Sequence, residues 1–186
     1  MNVARVLQST LVVAFGISWA IRTWIGLQDP QYYHPVTSLD YAAVWTYSVA
    51  LVLSSGVVWL IGWLARSHRP SALTALIVGA GLLVAAIANG FEDGFGMKWV
   101  GTIYVVGAMV GGYGLFVLAG ALAYAGARFL AIAALTMVLG FILLGSIGGF
   151  FVLALSLLFA ERLLRRPETL APRPRPTPAA EATPEA

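Results

Sequence analysis

The sequence predicts an all-α protein, a polytopic transmembrane helix bundle of six helices that ends in a disordered tail. Three observations predict this fold class. The 186 residues are 60% hydrophobic and only 10% charged, whereas a soluble domain carries about 25% charged residues. The apolar residues occur in runs long enough to cross a bilayer, which takes about 20 residues for ~30 Å of hydrocarbon. The short links between the runs collect most of the charges and several prolines, as loops outside a membrane do.

Six apolar segments are predicted to form one bundle that occupies residues 1–166. In chain order they are residues 4–27, 41–64, 72–91, 99–125, 128–145 and 149–165. The first segment could be mistaken for a signal peptide, but it has no Ala-x-Ala pattern and stays apolar to Leu27, so it is interpreted as a membrane helix. Residues 167–186 are rich in proline, alanine and glutamate and are predicted to be a disordered cytoplasmic tail.

The number of helices depends on how residues 129–160, which contain no charged side chain, are divided. As one helix they would measure about 48 Å, well beyond the ~30 Å of hydrocarbon. Three glycines within GSIGG (residues 145–149) favour a turn between two short helices instead. Five helices, with one long tilted helix here, are the alternative. That arrangement would put the arginine-rich C-terminal flank on the side opposite to the other basic links.

Charge placement predicts the orientation of the bundle. The link 65–71 and the segments around Arg128 and Arg165 are basic, whereas the links 28–40 and 92–98 hold four of the eight acidic residues. Basic links favour the cytoplasm, so both termini are predicted to be cytoplasmic. Ten arginines against one lysine, in an alanine- and glycine-rich chain, are typical of a GC-rich bacterial genome. The predicted location is therefore the bacterial inner (plasma) membrane.

Composition excludes several classes of chemistry. The chain has no cysteine and two histidines, which excludes thiolate metal sites, iron–sulfur clusters and redox cysteine pairs. It lacks the cysteine pair of vitamin K epoxide reductase-like proteins and the histidine sets of membrane cytochromes and fatty-acid hydroxylases. No cofactor, metal ion or catalytic residue is predicted, and the protein is expected not to be an enzyme. The positive-inside rule accounts for the arginines, so the predicted partner is the lipid bilayer rather than a nucleic acid.

A polar cluster at the outer helix ends is the candidate ligand-binding site. Arg22 lies inside the first apolar run, about 7.5 Å from its outer end, where a charge must be compensated. Asn89, Glu92 and Asp93 have the i, i+3, i+4 spacing of one helix face. Arg22 is predicted either to reach the headgroups or to pair with one of these carboxylates. The candidate set is Arg22, Asn89, Glu92, Asp93, His34, Asp40 and Tyr41, with Asp29, Lys98, Tyr32, Tyr33, Trp45, Trp99 and Tyr104 around it.

Two interpretations of this cluster stay open. It either binds a polar group or ion from outside, or it is a buried salt bridge that fixes the helix register. Asp40, just before Tyr41, is interpreted as an acid of the first helical turn, which the helix dipole stabilises. Side chains of sequence neighbours diverge on a helix, and no further acid lies inside a helix to accept a proton from Glu92 or Asp93. A proton pump is therefore not supported.

The fourth segment contains GAMVGGYG (residues 107–114). Gly107 and Gly111 are four residues apart, the small-residue spacing that lets membrane helices approach closely. They are predicted to pack against another helix, and to be the surface through which a membrane-protein partner or a second copy of the chain would bind. Tyr113 is predicted to carry a buried hydroxyl group.

The leading hypothesis is a multi-pass membrane protein whose outward-facing polar pocket binds a small molecule or lipid headgroup, as a transporter-like or sensing component. It requires Arg22 and Glu92 to line an open cavity. The alternative is a structural or accessory subunit without a ligand, which requires a filled cluster and a lipid-facing glycine surface. A third hypothesis is a membrane-embedded hydrolase or isomerase, with Glu92 or Asp93 close to His34.

Overall fold

The computed structural model describes residues 2–28, 35–143 and 147–170. Within these ranges the protein is all-α, with six α-helices and no strand, so the predicted fold class is confirmed. The helices are α1 Val3–Gly26, α2 Ser38–Leu64, α3 Arg69–Asn89, α4 Gly101–Tyr124, α5 Arg128–Ile142 and α6 Gly148–Arg165. A π-helical turn, Gly90–Gly94, continues α3, and short 3₁₀ turns occupy Lys98–Val100 and Pro167–Thr169.

Local sequence signals explain several helix ends. The side chain of Asn2 accepts a hydrogen bond from the Ala4 backbone N–H and caps α1. Thr37 and Asp40 form a capping box at the start of α2, in which each side chain accepts from the other residue's backbone N–H. Gly126 has a φ of 77°, which closes the turn after α4 in a conformation that favours glycine. The observed helix bounds lie within three residues of the predicted ones.

The six helices pack as a closed ring in chain order. Each helix contacts the next one along the chain, and α6 closes the ring by packing extensively against α1. The interior is filled by large buried side chains, among them Trp19, Leu51, Leu82, Leu115 and Leu118. Trp19 lies at the centre of the ring, where its ring contacts Tyr47 of α2 and Phe141 of α5.

Small residues allow the closest helix contacts. A Cβ atom at Gly107 of α4 would lie 2.8 Å from the backbone nitrogen of Ala85 in α3. Gly111 of α4 faces Leu82 of α3. The close packing predicted for Gly107 and Gly111 therefore forms within the chain. Tyr113 was predicted to be buried, and that prediction is wrong, because its side chain is 70% exposed. Two residues correspond to about 200° of helix rotation, so Tyr113 points away from the α3 contact that Gly111 makes.

The last two helices form a hairpin rather than one long helix. Arg162, near the end of α6, lies 4.3 Å over the ring of Phe129, at the start of α5. The two helices are therefore antiparallel neighbours, and six helices are confirmed over five. The predicted GSIGG turn falls at this reversal, but residues 144–146 lie outside the described ranges. Only Gly148 and Gly149 of the motif belong to α6.

The segment predicted as a tail begins with structure. Pro167–Thr169 form a 3₁₀ turn, and the side chain of Leu170 is buried in the apolar core. Residues 171–186, the rest of the predicted tail, lie outside the described part of the chain.

Four helical segments are long and apolar enough to cross a bilayer: Val3–Gly26, Ser38–Leu64, Arg69–Gly94 and Lys98–Tyr124. Their outward faces are apolar as well, with exposed side chains such as Val52, Ile77 and Val117. The protein is therefore a membrane protein. With 15 and 18 residues, α5 and α6 reach only about 22 and 27 Å.

The two ends of the ring differ in charge. Arg5 and Arg66 line one groove together, and Arg162 lies at the same end through its contact with α5. We call this the Arg66 end. Arg22 and Glu92 line a cavity at the opposite end, which we call the Glu92 end.

Candidate functional site

A difference in helix length produces the cavity at the Glu92 end. Helix α4 is nine residues longer than α5, with 24 residues against 15, a difference of about 14 Å. Both helices meet near residues 124–128, so the first turns of α4 extend beyond the end of α5. At this end Arg22 of α1 faces Glu92 and Asp93 across the cavity, beside the contact that α2 makes with α3.

The cavity has a volume of about 650 Å³ and opens partly to the surface. Pockets that bind small molecules are typically 300–1,000 Å³. Seven of its ten lining residues have polar side chains, and the lining comes from α1, α2, α3, the π-helical turn and α4. The lining residues are Arg22, Val44, Tyr47, Asn89, Glu92, Asp93, Gly101, Thr102, Tyr104 and Val105. Four of the seven candidate residues thus lie in one cavity: Arg22, Asn89, Glu92 and Asp93.

The π-helical turn places the two carboxylates in the cavity. Trp45 of α2 lies against this turn, so closely that a Cβ atom at Gly94 would come within 2.7 Å of its ring. A Cβ atom at Gly90 would lie 3.1 Å from the same ring. The π turn adds a residue to the helical repeat, and such turns are frequent at functional sites. The glycines and Trp45 together fix the direction in which Glu92 and Asp93 point.

Glu92 is a partly buried carboxylate that has no partner among the described residues. Its side chain lies against Gly101, where a Cβ atom would collide with Glu92 Oε1. It donates to or accepts from no hydrogen-bonding group in residues 2–28, 35–143 and 147–170, and it forms no ion pair there. A carboxylate held in a cavity of this size can accept hydrogen bonds from a ligand.

Asp93 is already engaged. Its Oδ1 lies 3.0 Å from the Nζ of Lys98, which follows it in the link to α4. Neither Asp93 nor Glu92 forms an ion pair with Arg22, so the second of the two alternatives for Arg22 is wrong for these carboxylates. The cause is local. Asp93 is directed towards Lys98 in the segment before α4, and the side chain of Glu92 packs against Gly101 at the start of α4.

Arg22 is buried at the same level as the ring of Tyr47. Its side chain is 7% exposed, and its guanidinium carbon lies 5.4 Å from the centre of that ring. A cation over an aromatic face is stabilised by the ring quadrupole, by about 0.5–2 kcal/mol. Arg22 therefore contributes a fixed positive charge to the cavity wall.

Asn89 is buried and joins α3 to α2. Its Nδ2 donates to the Val44 carbonyl at 3.3 Å and to the Ser48 hydroxyl at 2.9 Å. Both hydrogen bonds are internal, so the amide group is first a structural tie. Its position at the cavity wall leaves it available to a ligand through its oxygen.

Sequence reasoning missed Tyr47 and Thr102 as lining residues. The hydroxyls of Tyr47 and Tyr104 lie 3.1 Å apart and join α2 to α4 at the base of the cavity. Below them, the indole N–H of Trp19 donates to Ser54 at 3.0 Å. Tyr47 could have been found as one of three successive polar side chains, Thr46 to Ser48, inside a membrane span.

The other three candidates do not line the cavity. Asp40 is buried, and its carboxylate accepts from the backbone N–H groups of Val36 and Thr37 at 3.1 and 2.8 Å. It is the first-turn acid that the sequence predicts. Tyr41, which follows Asp40, has a side chain that is 42% exposed and does not line the cavity. His34 lies outside the described residues, as do Asp29, Tyr32 and Tyr33.

Metal ligation requires several His, Asp or Glu side chains close together. No group of three such residues occurs in the part of the chain that the structure describes. Comparison of the sequence with protein-family models and with curated proteins, and of the fold with solved structures, finds no match.

Proposed function

We propose that this protein is a multi-pass membrane protein that binds a small polar group, from a small molecule or a lipid headgroup, in the cavity at the Glu92 end. The observation that carries the proposal is Glu92, a carboxylate without a partner among the described residues, in a cavity of ligand size. A partly buried carboxylate loses part of its hydration, which is unfavourable unless other groups donate hydrogen bonds to it. A ligand that donates hydrogen bonds to it removes that cost.

The charges of the lining select a class of ligand. Glu92 carries a negative charge and has no ion-pair partner among the described residues, while the charge of Asp93 is balanced by Lys98. A ligand with an ammonium group suits Glu92, because an ammonium can donate charge-assisted hydrogen bonds to a carboxylate. The ethanolamine headgroup carries such an ammonium group.

The proposed orientation puts the Glu92 end outside the cell and both termini in the cytoplasm of a bacterium. The arginines of the Arg66 end favour the cytoplasmic side. The α5–α6 hairpin then crosses most of the bilayer and returns the chain to the inner surface. Its two short helices are accommodated by local thinning of the bilayer.

Binding or sensing fits the described residues better than transport. Trp19, together with the joined hydroxyls of Tyr47 and Tyr104, closes the base of the cavity. Below them lie the buried leucines of the core. Transport would require this packed layer to open, whereas binding requires no rearrangement.

The test uses the purified full chain in a neutral detergent. O-Phosphoethanolamine, a free zwitterion, and dioleoylphosphatidylethanolamine, a lipid with the same headgroup, are titrated separately. We expect at least one of them to bind saturably. Glu92→Gln keeps the shape of the side chain but removes its charge, and should weaken binding by roughly tenfold to a hundredfold, the size of a hydrogen bond to a charged group.

Glu161→Gln is the matched control, because it removes a carboxylate that pairs with Arg165 on the exposed surface at the other end. It should leave binding within about twofold. Thermal unfolding of each variant establishes that it is folded. Equal binding to the wild type and Glu92→Gln would overturn the proposal, and preference for one of the two probes decides between free molecule and lipid.

A second candidate is the accessory subunit, and Tyr113 favours it. This residue is exposed near the middle of α4, and its hydroxyl makes no hydrogen bond within the described residues. In hydrocarbon an unsatisfied hydroxyl is unfavourable, and a partner helix with an acceptor would satisfy it. Gly120, seven residues along the same face, has open space around it. Gly107 and Gly111 are occupied by α3, so a partner contact at α4 would use this outer face.

Crosslinking tests this second candidate. Tyr113 replaced by a photoreactive phenylalanine analogue should crosslink the chain to a protein in native membranes. The same analogue at Phe151, an exposed position of α6, is the control. Crosslinks to lipid alone from both positions would contradict the accessory role.

A further inference from the structure

We infer that the groove at the Arg66 end is a binding site for the phosphate group of an anionic phospholipid. The groove has a volume of about 430 Å³ and lies between α1, the α2–α3 link and the end of α6. It is lined by Asn2, Ala4, Arg5, Gln8, Trp63, Leu64, Arg66, Ser67, Leu163 and Pro167. This site is separate from the cavity at the Glu92 end and does not depend on the function proposed for that cavity.

The charges of the groove point to an anion. Two arginines, Arg5 and Arg66, line it, and its lining contains no acidic residue. Two acids lie close to the lining in the sequence: Glu161 of α6 is paired with Arg165 at 3.3 Å, and Glu168 follows the lining residue Pro167. Arginine presents several donors in a plane that matches two oxygens of a phosphate group. Gln8 and Ser67, which have polar side chains, also belong to the lining.

One of the two arginines is held in position. The guanidinium carbon of Arg66 lies 4.4 Å from the centre of the Trp63 ring, and its Nη1 lies 3.5 Å from the Trp63 carbonyl. A side chain fixed by stacking loses less conformational entropy when it binds a ligand. Arg66 is therefore preorganised to receive an anion, while Arg5 is exposed on the first turn of α1 and free to close on it.

The rest of the lining points to a lipid rather than a free ion. Trp63 is 52% exposed at this helix end, the position at which tryptophan occupies the headgroup level of a bilayer. Leu64 and Leu163 supply an apolar wall beside the arginines. The chain after α6 turns back through Pro167, and burial of Leu170 anchors that turn. A phosphate with apolar chains attached would use both parts of the groove, as headgroups do in basic pockets between membrane helices.

The test titrates dioleoylphosphatidylglycerol into the purified full chain in a neutral detergent, with binding read by native mass spectrometry. Inorganic phosphate is the second probe, because it shares the chemistry but has no acyl chains. We expect saturable binding of the lipid and no competition by millimolar phosphate. The double variant Arg5→Gln with Arg66→Gln should weaken lipid binding by roughly thirtyfold, from the loss of two arginines beside an anionic lipid.

The matched control is Arg69→Gln with Arg128→Gln. It removes the same charge from the same end of the bundle, at exposed positions that do not line the groove. It should change lipid binding by less than about threefold. The single variant Arg5→Gln, at an exposed side chain near the N-terminus, is expected to fold normally and to weaken binding by about fivefold.

Three results would overturn the inference. Equal losses in the two double variants would mean that diffuse charge, not the groove, attracts the lipid. Full displacement of the lipid by inorganic phosphate would mean that the acyl chains make no contribution. Loss of lipid binding in Glu92→Gln but not in Arg5→Gln would place the lipid at the opposite end of the ring.

Discussion

The close contact between α3 and α4 can be tested with two alanine substitutions in the same helix. In Gly107→Ala, the added methyl group would lie 2.8 Å from the Ala85 backbone nitrogen and 2.9 Å from the Gly81 carbonyl oxygen. Both neighbours are backbone atoms, so the helices must separate to make room. In Gly112→Ala, the methyl group meets nothing within 4 Å. The two variants add the same atoms to α4 and differ only in what surrounds them.

The size of the effect follows from that difference. Overpacking typically costs about 1–3 kcal/mol, and alanine favours a helix over glycine by up to about 1 kcal/mol at both positions. The helix preference cancels in the comparison, so Gly107→Ala should be less stable than Gly112→Ala by about 1–3 kcal/mol. For a chain of this length, each kcal/mol lowers the midpoint of thermal unfolding by roughly 2–4 °C.

Thermal unfolding of both variants in the same detergent, followed by circular dichroism, measures the difference. We expect Gly107→Ala to unfold several degrees below Gly112→Ala, which should match the wild type or exceed it slightly. If the two variants unfold at the same temperature, α3 and α4 do not approach as closely as the structure describes.

Two further predictions concern stability. Ser54→Ala should lower the free energy of unfolding by about 1–2 kcal/mol, because it leaves the buried indole N–H of Trp19 without its acceptor. Ser55→Ala changes a neighbouring buried hydroxyl that has no hydrogen-bond partner among the described residues, and it should cost less. The reverse order in chemical unfolding would contradict the Trp19 contact. Asp40→Asn weakens the capping box of α2 and the charge at its first turn, and should cost about 0.5–1 kcal/mol. Unchanged hydrogen exchange at the backbone amides of Val36 and Thr37 would show that this carboxylate does not hold them.

Much of the fold follows from the sequence because a membrane helix must satisfy its backbone internally and present apolar side chains to lipid. Because of this constraint, the apolar runs of the sequence predict the membrane helices. The predicted ends of α2 and α4 lie within three residues of the observed ends. The hairpin of α5 and α6 was predictable for a different reason. One uncharged helix over that length would be too long for the bilayer, and the glycines near residue 147 offered a turn.

The cavity itself could not be predicted, because it arises from a difference between helices rather than from a motif. Only the finished ring shows that α4 extends past the end of α5. The spacing of Asn89, Glu92 and Asp93 grouped these residues in the sequence, and all three line the cavity. The spacing does not predict that Lys98 forms an ion pair with Asp93 while Glu92 has no partner among the described residues. That outcome depends on the path of the chain between the π-helical turn and α4.

Tyr113 shows a related limit. Gly107 and Gly111 indicate close helix packing. From that packing, burial was predicted for Tyr113 as well, which belongs to the same run of residues 107–114. A helix places successive residues 100° apart, so two glycines define one contact face and leave the rest of the turn outside it. The face of a residue within an apolar helix becomes clear only when the packing partner is known, here α3.

The proposed binding site requires that the cavity at the Glu92 end opens to water outside the cell. The chain has no cysteine, so a single introduced cysteine is the only thiol. Thr102→Cys places it in the cavity lining, and Tyr113→Cys places it on the exposed apolar face of α4. Intact cells are treated with a charged, membrane-impermeant maleimide. We predict rapid labelling of Thr102→Cys and no labelling of Tyr113→Cys before denaturation. Thr102→Cys that reacts only after the membrane is permeabilised, or no faster than Tyr113→Cys, would contradict the proposed site.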